Sequence, residues 1–387
     1  MEIAGGAYRE ICYIPTWDAV FGSGVRAAYA LADVCASVGL HSYLSTPEMH
    51  LLDRLSTTNI TMTLHARTTP IVFVYFHPLA QPYIAPSSDI LKVEPAIRVQ
   101  GEAVLRFGFL EGEAIVSAER AVYDPQTCKS PALFRTNGST AAELAIVLNE
   151  EELVALTTER DLAEAAKHLL RIDNADLIVV KQGFKGALVV EKGGRCTRVP
   201  AYFSDRVFKI GTGDVFSALF AYHWAEQKLN ATLAADLASR SVAVYCNAGV
   251  LPIPTQLPEL NPIVPSQHGS IFLMGSTDTI GRRYTLEEAR FVLKSLGATV
   301  SCPALGDEAS VPASAVLVVL DGIDRTSLTP VEEIGASGTS VVALIQSKTD
   351  DKTMFSNPTL ITFTDDFTSA IYFAAWAAMT TKSVCAP

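Results

Sequence analysis

The sequence predicts an α/β protein of two domains, each built on a mainly parallel sheet flanked by helices. Strand-like apolar runs alternate with amphipathic helical stretches in both parts of the chain, and such alternation is typical of parallel sheets. Five prolines fall between Leu251 and Ser266, where this alternation stops and then starts again. The 387 residues are also long for a single core. We therefore predict domains at 1–250 and 270–387, joined by a semi-rigid linker at 251–269.

Composition narrows the classes of function. Apolar residues make up 49% of the chain and charged residues 18%, with a net charge of −11. This acidic balance argues against non-specific binding to nucleic acid or anionic membranes, and no apolar run reaches membrane-spanning length. The seven cysteines are scattered, which argues against a zinc site or disulfide framework. The start shows no basic or long apolar leader, so we expect a cytoplasmic protein.

The first elements predict a β-α-β beginning. Ile11 to Pro15 is predicted as a strand, Val25 to Val38 as a helix, and His41 to Ser45 as the next strand. Within about 57–107, Thr, Ile and Val alternate with polar residues. That pattern favours antiparallel strands with one solvated face.

From Ala103 onward, strands and helices alternate. Predicted strands are Leu144 to Leu148, Leu177 to Lys181 and Ala187 to Glu191; predicted helices are Glu159 to Ile172 and Ala231 to Ala248. Ligands of such sheets bind at the carboxyl ends of the strands, where Asn149, Gly183 and Gly211 all fall.

The stretch Gly211-Thr212-Gly213-Asp214 is the central motif of the first domain. A strand-like run, Tyr202 to Ile210, precedes it, and an apolar helix, Val215 to about Lys228, follows it. Glycines at such a turn let a ligand approach the backbone, and the N–H groups of the new helix point at an anion. Asp214 is then placed as a base beside bound phosphates; the local alternative is an ordinary helix cap.

This motif and its trailing helix resemble the C-terminal signature of the ribokinase-like (PfkB) sugar and nucleoside kinases. Further motifs of that family occur in the family's order: Phe21-Gly22-Ser23-Gly24 with its helix, Val122-Tyr123-Asp124-Pro125, Asn149-Glu150-Glu151-Glu152, and Val180-Lys181-Gln182-Gly183. The resemblance covers roughly 1–260. It implies a three-layer α/β/α fold in which strands within 57–107 form a small β lid over the sugar.

The resemblance also implies roles for individual residues. Asp214 is the expected catalytic base, with ATP and Mg²⁺ as cofactors and a sugar or nucleoside as acceptor. The implied cofactor-binding residues are Gly211, Thr212, Gly213, Asn149, Glu152, Lys181 and Gly183, with Glu152 on the Mg²⁺ side. The implied acceptor-binding residues are Gly22, Gly24 and Arg26. Lids of this family often pair between subunits, which implies a homodimer.

Two positions depart from the family pattern. The family usually has an acid three residues before the first glycine of the motif, near a monovalent-cation site, where this chain has Phe208. It usually has a sugar-binding asparagine where this chain has Arg26. An apolar ring cannot ligate a cation, and a guanidinium prefers carboxylate or phosphate. Either the acceptor is anionic, or the site has drifted toward binding without turnover.

The second domain, 270–387, is predicted as a small flavodoxin-like (Rossmann-like) β/α fold. The predicted strands are Ile271 to Met274, Ala298 to Cys302, Ala315 to Leu320 and Val341 to Ile345. The predicted helices are Leu286 to Leu296, one from near Pro330, and Phe367 to Met379. Arg282 and Arg283 are placed in a polar loop before the first of these helices.

Two segments of this domain resemble the nucleoside 2-deoxyribosyltransferase family, and the 2′-deoxynucleoside 5′-phosphate N-hydrolases in particular. They are Phe272 to Ser276 and Ser327 to Gly335. The resemblance implies Glu333 as nucleophile, favoured over Glu332 by the Ile-Gly that follows. It implies Asp307 near the base, with Asp321 and Asp324 as alternatives. The implied phosphate- and substrate-binding residues are Gly275, Ser276, Arg282, Arg283, Ser327 and Ser356.

The residue types suit this chemistry. Cleaving an N-glycosidic bond builds positive charge at the sugar carbon, which one carboxylate attacks or stabilises while a second acid assists the leaving base. Two glycines of the family's Ser-Leu-Gly segment are replaced here by Thr329 and Val331.

Three interpretations of the whole chain follow. The first is a kinase fused to a nucleotide N-glycosidase that shares a metabolite with it. The second is a non-catalytic sensor or assembly module that controls a nucleotide- or NAD-depleting effector, with a possible partner protein. The third is a sugar kinase whose second domain only binds a nucleotide.

Overall fold

The computed structural model describes residues 1–57, 59–265, 269–308, 313–346 and 352–380. The chain divides into two compact units, Met1–Pro262 and Ile263–Pro387. This division falls inside the predicted linker 251–269, of which 266–268 lie outside the described residues. Treating the units as domains of separate function stays a proposal.

A nine-stranded sheet forms the centre of the first unit. Its strands are β1 (Glu2–Ala4), β4 (Val38–Ser45), β5 (Ile60–Arg67), β8 (Ile97–Phe107), β9 (Ala114–Asp124), β10 (Thr140–Asn149), β11 (Leu177–Lys181), β12 (Ala187–Glu191) and β13 (Cys196–Val199). The strand order is β13-β12-β11-β10-β9-β8-β1-β4-β5. Only the pairings of β12 with its neighbours β11 and β13 are antiparallel. The carboxyl ends of β1, β4, β5 and β8–β11 therefore share one edge.

A separate four-stranded sheet has the order β3-β2-β6-β7. It consists of β2 (Arg9–Cys12), β3 (Trp17–Val20), β6 (Val72–Tyr75) and β7 (Tyr83–Ala85). The prediction of lid strands within 57–107 is wrong for β5 and β8, which belong to the main sheet, and stays a prediction for β6 and β7. Strand β5 is the edge strand of the main sheet, and its exposed and partly buried residues give a period-two pattern like that of a lid strand.

Helices cover both faces of the main sheet. They are α1 (Gly22–Ala30), α2 (Glu150–Thr157), α3 (Leu162–Ile172), α4 (Thr212–Ala221), which continues as a π-helical turn (Tyr222–Glu226), and α5 (Ala231–Ala248). Strand β10 shows how one sequence serves two cores. Leu144, Ile146 and Leu148 pack on the side of α2 and α3, while Ala145 and Val147 pack on the side of α1, α4 and α5. Such burial of both faces is typical of a parallel sheet between helix layers.

Several predicted elements are confirmed, including β11, β12 and α5 with the predicted bounds. Three predictions are wrong. The strand expected over Tyr202 to Ile210 is only β14 (Ala201–Tyr202), helix α1 ends at Ala30 rather than Val38, and Ile11 lies in the small sheet. A twelve-residue 3₁₀ segment occupies Thr46–Thr57. Short 3₁₀ turns occupy Ser88–Ile90, Phe134–Asn137 and Gly183–Lys185.

The second unit contains a five-stranded parallel sheet. After the short β15 (Pro262–Ile263), its strands are β16 (Ser270–Met274), β17 (Thr299–Ser301), β18 (Ala315–Val319), β19 (Ser340–Leu344) and β20 (Ile361–Thr364). The order is β17-β16-β18-β19-β20, which is the 2-1-3-4-5 order of doubly wound sheets such as flavodoxin. The assignment to a flavodoxin-like family stays a prediction; β20 itself was not predicted.

The helices of the second unit are α6 (Ile280–Ser295), α7 (Thr329–Ala336) and α8 (Phe367–Met379). Helix α6 begins six residues earlier than predicted because the Thr279 hydroxyl caps it by accepting from the Arg282 N–H. Arg282 and Arg283 therefore lie on a helix and not in a loop. Further 3₁₀ turns occupy Pro303–Leu305, Arg325–Leu328, Lys352–Met354 and Pro358–Leu360. Among the described residues, no helix is long and apolar enough to span a membrane.

Candidate functional site

The shared carboxyl edge of the main sheet brings the predicted kinase motifs together. Strands β9, β10 and β11 end at Asp124, Asn149 and Lys181, and α4 begins beside them at Thr212. A cavity of about 320 Å³ opens among them. Its lining residues are Gln126, Asn149, Glu152, Lys181, Gly183, Lys209 and Gly213.

Lys181 is one of two cations at this cavity. Its ammonium lies 2.5 Å from Asp124 Oδ2, which also accepts a hydrogen bond of 2.6 Å from the Ser217 hydroxyl. Asp124 is fully buried, and its second oxygen, Oδ1, has no hydrogen-bond partner among the described residues. Lys209 is the other cation, and its ammonium lies 3.1 Å from the Thr212 hydroxyl. The arrangement favours an anion that bridges the lysines and the start of α4.

Asn149 and Glu152 form a reciprocal cap at the start of α2. Asn149 Oδ1 accepts from the Glu152 N–H at 2.8 Å, and Glu152 Oε2 accepts from the Asn149 N–H at 2.8 Å. Burial, and then the Asp124 carboxylate, raise the pKa of Glu152 to about 7. Both residues line the cavity, so the structural cap and a ligand-facing position coexist here.

The residues present are compatible with Mg²⁺ brought in by a phosphate ligand. No group of three or more His, Cys, Asp or Glu side chains arranged to hold a metal is found in the described part of the chain. Mg²⁺ at phosphate sites is typically held by one or two carboxylates, waters and the phosphates themselves. Glu152, which lines the cavity, supplies such a carboxylate. Asp124 is not among the lining residues, and its carboxylate is paired with Lys181.

Arg26 is not placed as a free substrate-binding residue. Its side chain is buried, 1% exposed. Its Nη1 donates to Asp214 Oδ2 at 2.9 Å and to Glu10 Oε1 at 3.0 Å, and its Nη2 donates to Glu10 Oε2. Asp214 Oδ1 accepts from Gln126 Nε2 at 3.1 Å. The predicted base thus has a hydrogen bond on each oxygen, and one of them comes from a guanidinium.

Two opposing effects act on the pKa of Asp214. Burial raises the pKa of Asp214, and the neighbouring Arg26 guanidinium works against that shift. Gln126 adopts a left-handed backbone conformation with φ of 60°, which is uncommon for a non-glycine residue and is often found at functional sites. A strained residue therefore orients the amide that holds Asp214.

The surroundings of Arg26 are aromatic. Its guanidinium lies 4.9 Å from the centre of the Phe21 ring, and Phe21 stacks on Trp17. Phe208, at the position of the family's acid, packs between Trp17 and Tyr245. This packing explains how the chain tolerates Phe208: the ring fills an apolar cluster.

The expected acceptor-binding glycines are used for packing. The Gly22 N–H donates to Glu10 Oε1 at 3.0 Å, and the Gly24 N–H donates to the Gly6 carbonyl at 2.9 Å. A side chain at Gly24 would collide with the backbone of Gly5. The end of β1 and the start of α1 are thus in direct contact, and the Gly22 and Gly24 amides point at protein atoms.

Gly211 and Gly213 form a matched pair for mutation. Gly211 has φ of +76°, and a Cβ there would collide with the Arg26 side chain, whereas the nearest atom to a Cβ at Gly213 is Lys181 Nζ at 3.6 Å. We expect Gly211→Ala to destabilise the protein by about 1–3 kcal/mol and Gly213→Ala to leave stability nearly unchanged. Thermal unfolding of both variants checks this, and equal midpoints would contradict the placement of Arg26.

Glu152→Gln is expected to change the pH dependence of stability. The pKa of Glu152 rises from 4.5 to about 7 on folding, so the folded protein keeps a proton that the unfolded chain loses. Its contribution to stability is present below pH 4.5 and is lost as the pH rises through about 7, by at most about 3 kcal/mol. Glutamine stays neutral and removes this loss.

The check for Glu152 is urea unfolding of both proteins in EDTA at about pH 5 and about pH 8. The variant should gain stability relative to wild type at the higher pH. A constant difference between the two proteins would show that Glu152 ionises normally.

In the second unit, Arg282 is also held by carboxylates. Its guanidinium donates to both Asp321 oxygens, at 2.9 and 3.1 Å, and to Asp278 Oδ1 at 2.8 Å. The Ser276 hydroxyl donates to the same Asp278 oxygen at 2.7 Å. Arg283 is exposed and lies 3.8 Å from Glu287. The predicted phosphate-binding residues Ser276 and Arg282 therefore lie close together, because both donate to Asp278 Oδ1. Carboxylates of the chain already accept their hydrogen bonds.

The predicted glycosidase acids are not brought together by any contact between described residues. Glu333 lies on the exposed side of α7, while its neighbour Glu332 accepts from the Ser356 N–H. Asp307 accepts from the Cys302 N–H and from Arg290, each at 3.0 Å, and the Cys302 N–H lowers its pKa. Of these two neighbouring acids, Glu332 is the one that contacts the Ser356 backbone, and the nucleophile role of Glu333 stays a prediction.

The remaining predicted residues of this unit have local roles. The Ser327 hydroxyl donates to Asp324 Oδ2 at 2.9 Å, and this pair caps the turn Arg325–Leu328. A Cβ at Gly275 would press on Leu286, so this glycine serves packing between β16 and α6.

Sequence reasoning missed several residues of the first site. Asp124 lies inside the motif Val122-Tyr123-Asp124-Pro125, and Lys209 lies two residues before Gly211. The sequence could therefore have indicated both residues. Glu10 and Gln126 had no signal, because a glutamate in a short strand and a glutamine after a proline are unremarkable in sequence.

Comparison with protein families finds one match. The sequence model of the pfkB family carbohydrate kinases matches residues 130–246. The matched segment contains Asn149, Lys181 and Asp214, while Arg26 lies before it. No curated protein matches the chain in sequence.

Solved structures are similar to about two thirds of the chain at low identity. Ribokinase from Thermotoga maritima has 17% identity and a TM-score of 0.46, with 66% of this chain and 95% of that chain covered. Fructokinase from Vibrio cholerae O395, bound to fructose, ADP and calcium, has 14% identity and a TM-score of 0.47, with coverage of 65% and 96%. Aminoimidazole riboside kinase from Salmonella enterica has 14% identity and a TM-score of 0.46, with coverage of 66% and 97%.

Proposed function

We propose that the first unit binds the phosphate chain of a phosphoryl donor, together with Mg²⁺, and that Arg26 suppresses transfer to an acceptor. The pfkB-type segment supplies the binding side of this proposal. Lys181, Lys209 and Gly213, in the first turn of α4, all line one cavity, and this is a favourable environment for a phosphate. Mg²⁺ would neutralise charge on the phosphates.

The buried contact between Arg26 and Asp214 is the observation that carries the second half of the proposal. A general base must reach the acceptor hydroxyl and accept its proton. Arg26 occupies that approach to Asp214 Oδ2, and its positive charge stabilises the ionised carboxylate. Its charge is also balanced by Glu10, so an anionic acceptor gains little from it. The sequence left open either an anionic acceptor or binding without turnover, and the second possibility is the better supported.

The test separates binding from transfer. Calorimetry measures donor binding, and phosphorus NMR follows products over a panel of sugars and nucleosides with Mg²⁺. Wild type should bind the donor and give no phosphorylated acceptor. The double variant Glu10→Gln/Arg26→Asn removes the guanidinium and one of its carboxylates together, and should bind the donor equally well.

A second candidate is an active sugar or nucleoside kinase, as the matched family description suggests. Asp214 in the first turn of α4, directly after Gly213 of the cavity wall, favours it. Transfer by wild type that disappears in Asp214→Asn would establish this candidate and sink the proposed suppression.

For the second unit we propose cleavage of an N-glycosidic bond in a nucleotide, with Glu332 rather than Glu333 on the reacting side. The proposal is supported by the parallel sheet in 2-1-3-4-5 order and by the contact of Glu332 with Ser356. Combined with a first unit that binds without transfer, it favours a sensor that controls a nucleotide-depleting effector.

Adjacent glutamates give a matched control for this activity. Free base released from a panel of deoxynucleotides, 5′-monophosphates and NAD is measured for wild type, Glu332→Gln and Glu333→Gln. Loss in Glu332→Gln alone supports the assignment. Loss in Glu333→Gln alone would restore the residue favoured by sequence, and no release by wild type would reject the glycosidase.

A further inference from the structure

We infer that the first unit has a second small-molecule site, which takes an uncharged planar heteroaromatic ring of the nucleobase class. The site is a pocket of about 520 Å³ between α4, α5 and the chain segment 253–258. It is separate from the cavity at Gly213, because the two lie at opposite ends of α4. Between Gly213 and His223 the helix rises by about 15 Å. The inference therefore does not depend on the function proposed for that cavity.

Two helices form the first two walls of the pocket. One face of α5 contributes five residues with the spacing of a single helix side: Leu233, Asp236, Leu237, Arg240 and Ser241. The end of α4 contributes Leu219, and the π-helical turn after it contributes Tyr222 and His223. Such π-helical turns occur frequently at functional sites, and this one turns two aromatic side chains toward the pocket.

The third wall is the segment 253–258, which lies between two backbone anchors. The Ile253 N–H donates to the Ala30 carbonyl at 3.2 Å, and the Asn261 carbonyl accepts from the Phe203 N–H at 3.0 Å. Between these anchors, Leu257 packs against the core. The wall is thus held in place by the protein itself, and a preformed pocket costs a ligand little ordering free energy.

The lining of the pocket is mainly apolar. Nine of the fourteen described residues that line it are aliphatic residues, prolines or tyrosine. Pockets for small molecules typically have about 300–1,000 Å³, apolar and aromatic walls and a few polar groups. Flat rings stack well on such walls, and the Tyr222 ring offers an aromatic partner.

The charged groups of the pocket are already balanced. Asp236 Oδ2 accepts from Arg240 Nε at 2.8 Å, and Asp236 Oδ1 accepts from the Tyr202 hydroxyl at 2.5 Å. The Arg240 guanidinium also lies 4.6 Å from the centre of the Tyr202 ring. Because the two charges neutralise each other and are held in place, a charged ligand gains little here. The pocket therefore favours an uncharged ligand.

His223 gives the pocket its hydrogen-bonding group. Burial lowers the pKa of His223 to about 4, so the imidazole is neutral near pH 7. Its ring packs on the Tyr222 ring at 5.0 Å between centres, and none of the described residues hydrogen-bonds to it. A neutral imidazole has one donor and one acceptor. The edges of a nucleobase carry both kinds of group, whereas an aliphatic ligand would leave the imidazole unsatisfied.

Titration of the whole chain with adenine tests the inference, with indole as a ring of similar shape that has one donor and no ring acceptor. We expect adenine to bind with a dissociation constant of about 1 mM or lower and indole to bind at least about fivefold more weakly. The imidazole C–H signals of His223 in proton NMR should shift on adding adenine. Absence of adenine binding, or equal binding of both rings, would overturn the inference.

Two histidine variants locate the binding. His223→Leu should weaken adenine binding about fivefold or more and leave indole binding and thermal unfolding nearly unchanged. The control is His168→Leu, which removes a half-buried histidine of α3 that does not line the pocket. It should leave the affinity for adenine unchanged. Equal affinities of wild type and His223→Leu for adenine would reject the site.

A competition experiment separates this pocket from the cavity at Gly213. Adenine is titrated with and without saturating tripolyphosphate and Mg²⁺, which are expected to fill that cavity. Equal affinities for adenine support a separate site, and competition would overturn the inference. If tripolyphosphate fails to bind while adenine binds and shifts the His223 signals, the proposed phosphate binding is rejected and the pocket stands.

Discussion

Replacing Arg26 by methionine is expected to destabilise the first unit by about 3–5 kcal/mol, because it leaves buried carboxylates without their cation. Glu10 and Asp214 are 4% and 9% exposed, and the Arg26 guanidinium contacts both. Urea unfolding gives the change in the free energy of unfolding. Because the chain has two units, the transition of the first unit is the one to compare.

The control for the Arg26 variant removes all three charges of the cluster, those of Glu10, Arg26 and Asp214, together. Glu10→Gln/Arg26→Met/Asp214→Asn should regain most of the lost stability, since neutral replacement of a buried ion cluster is often tolerated. A loss below about 1 kcal/mol in the single variant would show that the cluster is solvated and that Arg26 does not hold Asp214.

Replacing Lys181 by methionine is expected to have a comparable effect on stability and a larger one on ligand binding. Asp124 is fully buried and loses its cation, which costs about 3–5 kcal/mol. The phosphate ligand loses a charged donor at the same time. Urea unfolding measures the first effect, and titration with tripolyphosphate measures the second.

The double variant Asp124→Asn/Lys181→Met separates the two effects. It should recover stability because no unpaired charge remains buried, and it should still fail to bind tripolyphosphate. Recovery of binding along with stability would mean that Lys181 acts only as a structural partner of Asp124.

The convergence of the predicted motifs on one edge of the sheet could be predicted from the sequence, for a physical reason. Parallel strands place their carboxyl ends on one edge, so motifs that follow strands must converge there. Asn149, Lys181 and the turn at Gly211 each follow or adjoin the predicted core elements, and all lie near the cavity.

The pairing of Arg26 with Glu10 and Asp214 could not be predicted from local sequence patterns. The partners of Arg26 are Glu10, which lies in the small sheet, and Asp214, which is 188 residues away in sequence. Such pairing depends on tertiary packing, and only the departures from the family pattern at Arg26 and Phe208 hinted at altered chemistry. In the second unit, the missed cap at Thr279 shifted the start of α6 and misplaced Arg282 in a loop.

Choosing between Glu332 and Glu333 shows a further limit of motif reasoning. Neighbouring residues on a helix point about 100° apart, so a one-residue difference decides which carboxylate meets Ser356. The Ile-Gly pattern identifies the helix, but only the packing of α7 decides which side each glutamate takes.

The decisive measurement for the role of Arg26 is phosphoryl transfer by wild-type protein under conditions where donor binding is shown by calorimetry. With Mg²⁺ and a panel of sugar and nucleoside acceptors, we predict saturable donor binding and no phosphorylated acceptor, because Asp214 is held by Arg26. Formation of a phosphorylated acceptor by wild type, abolished in Asp214→Asn, would contradict this prediction.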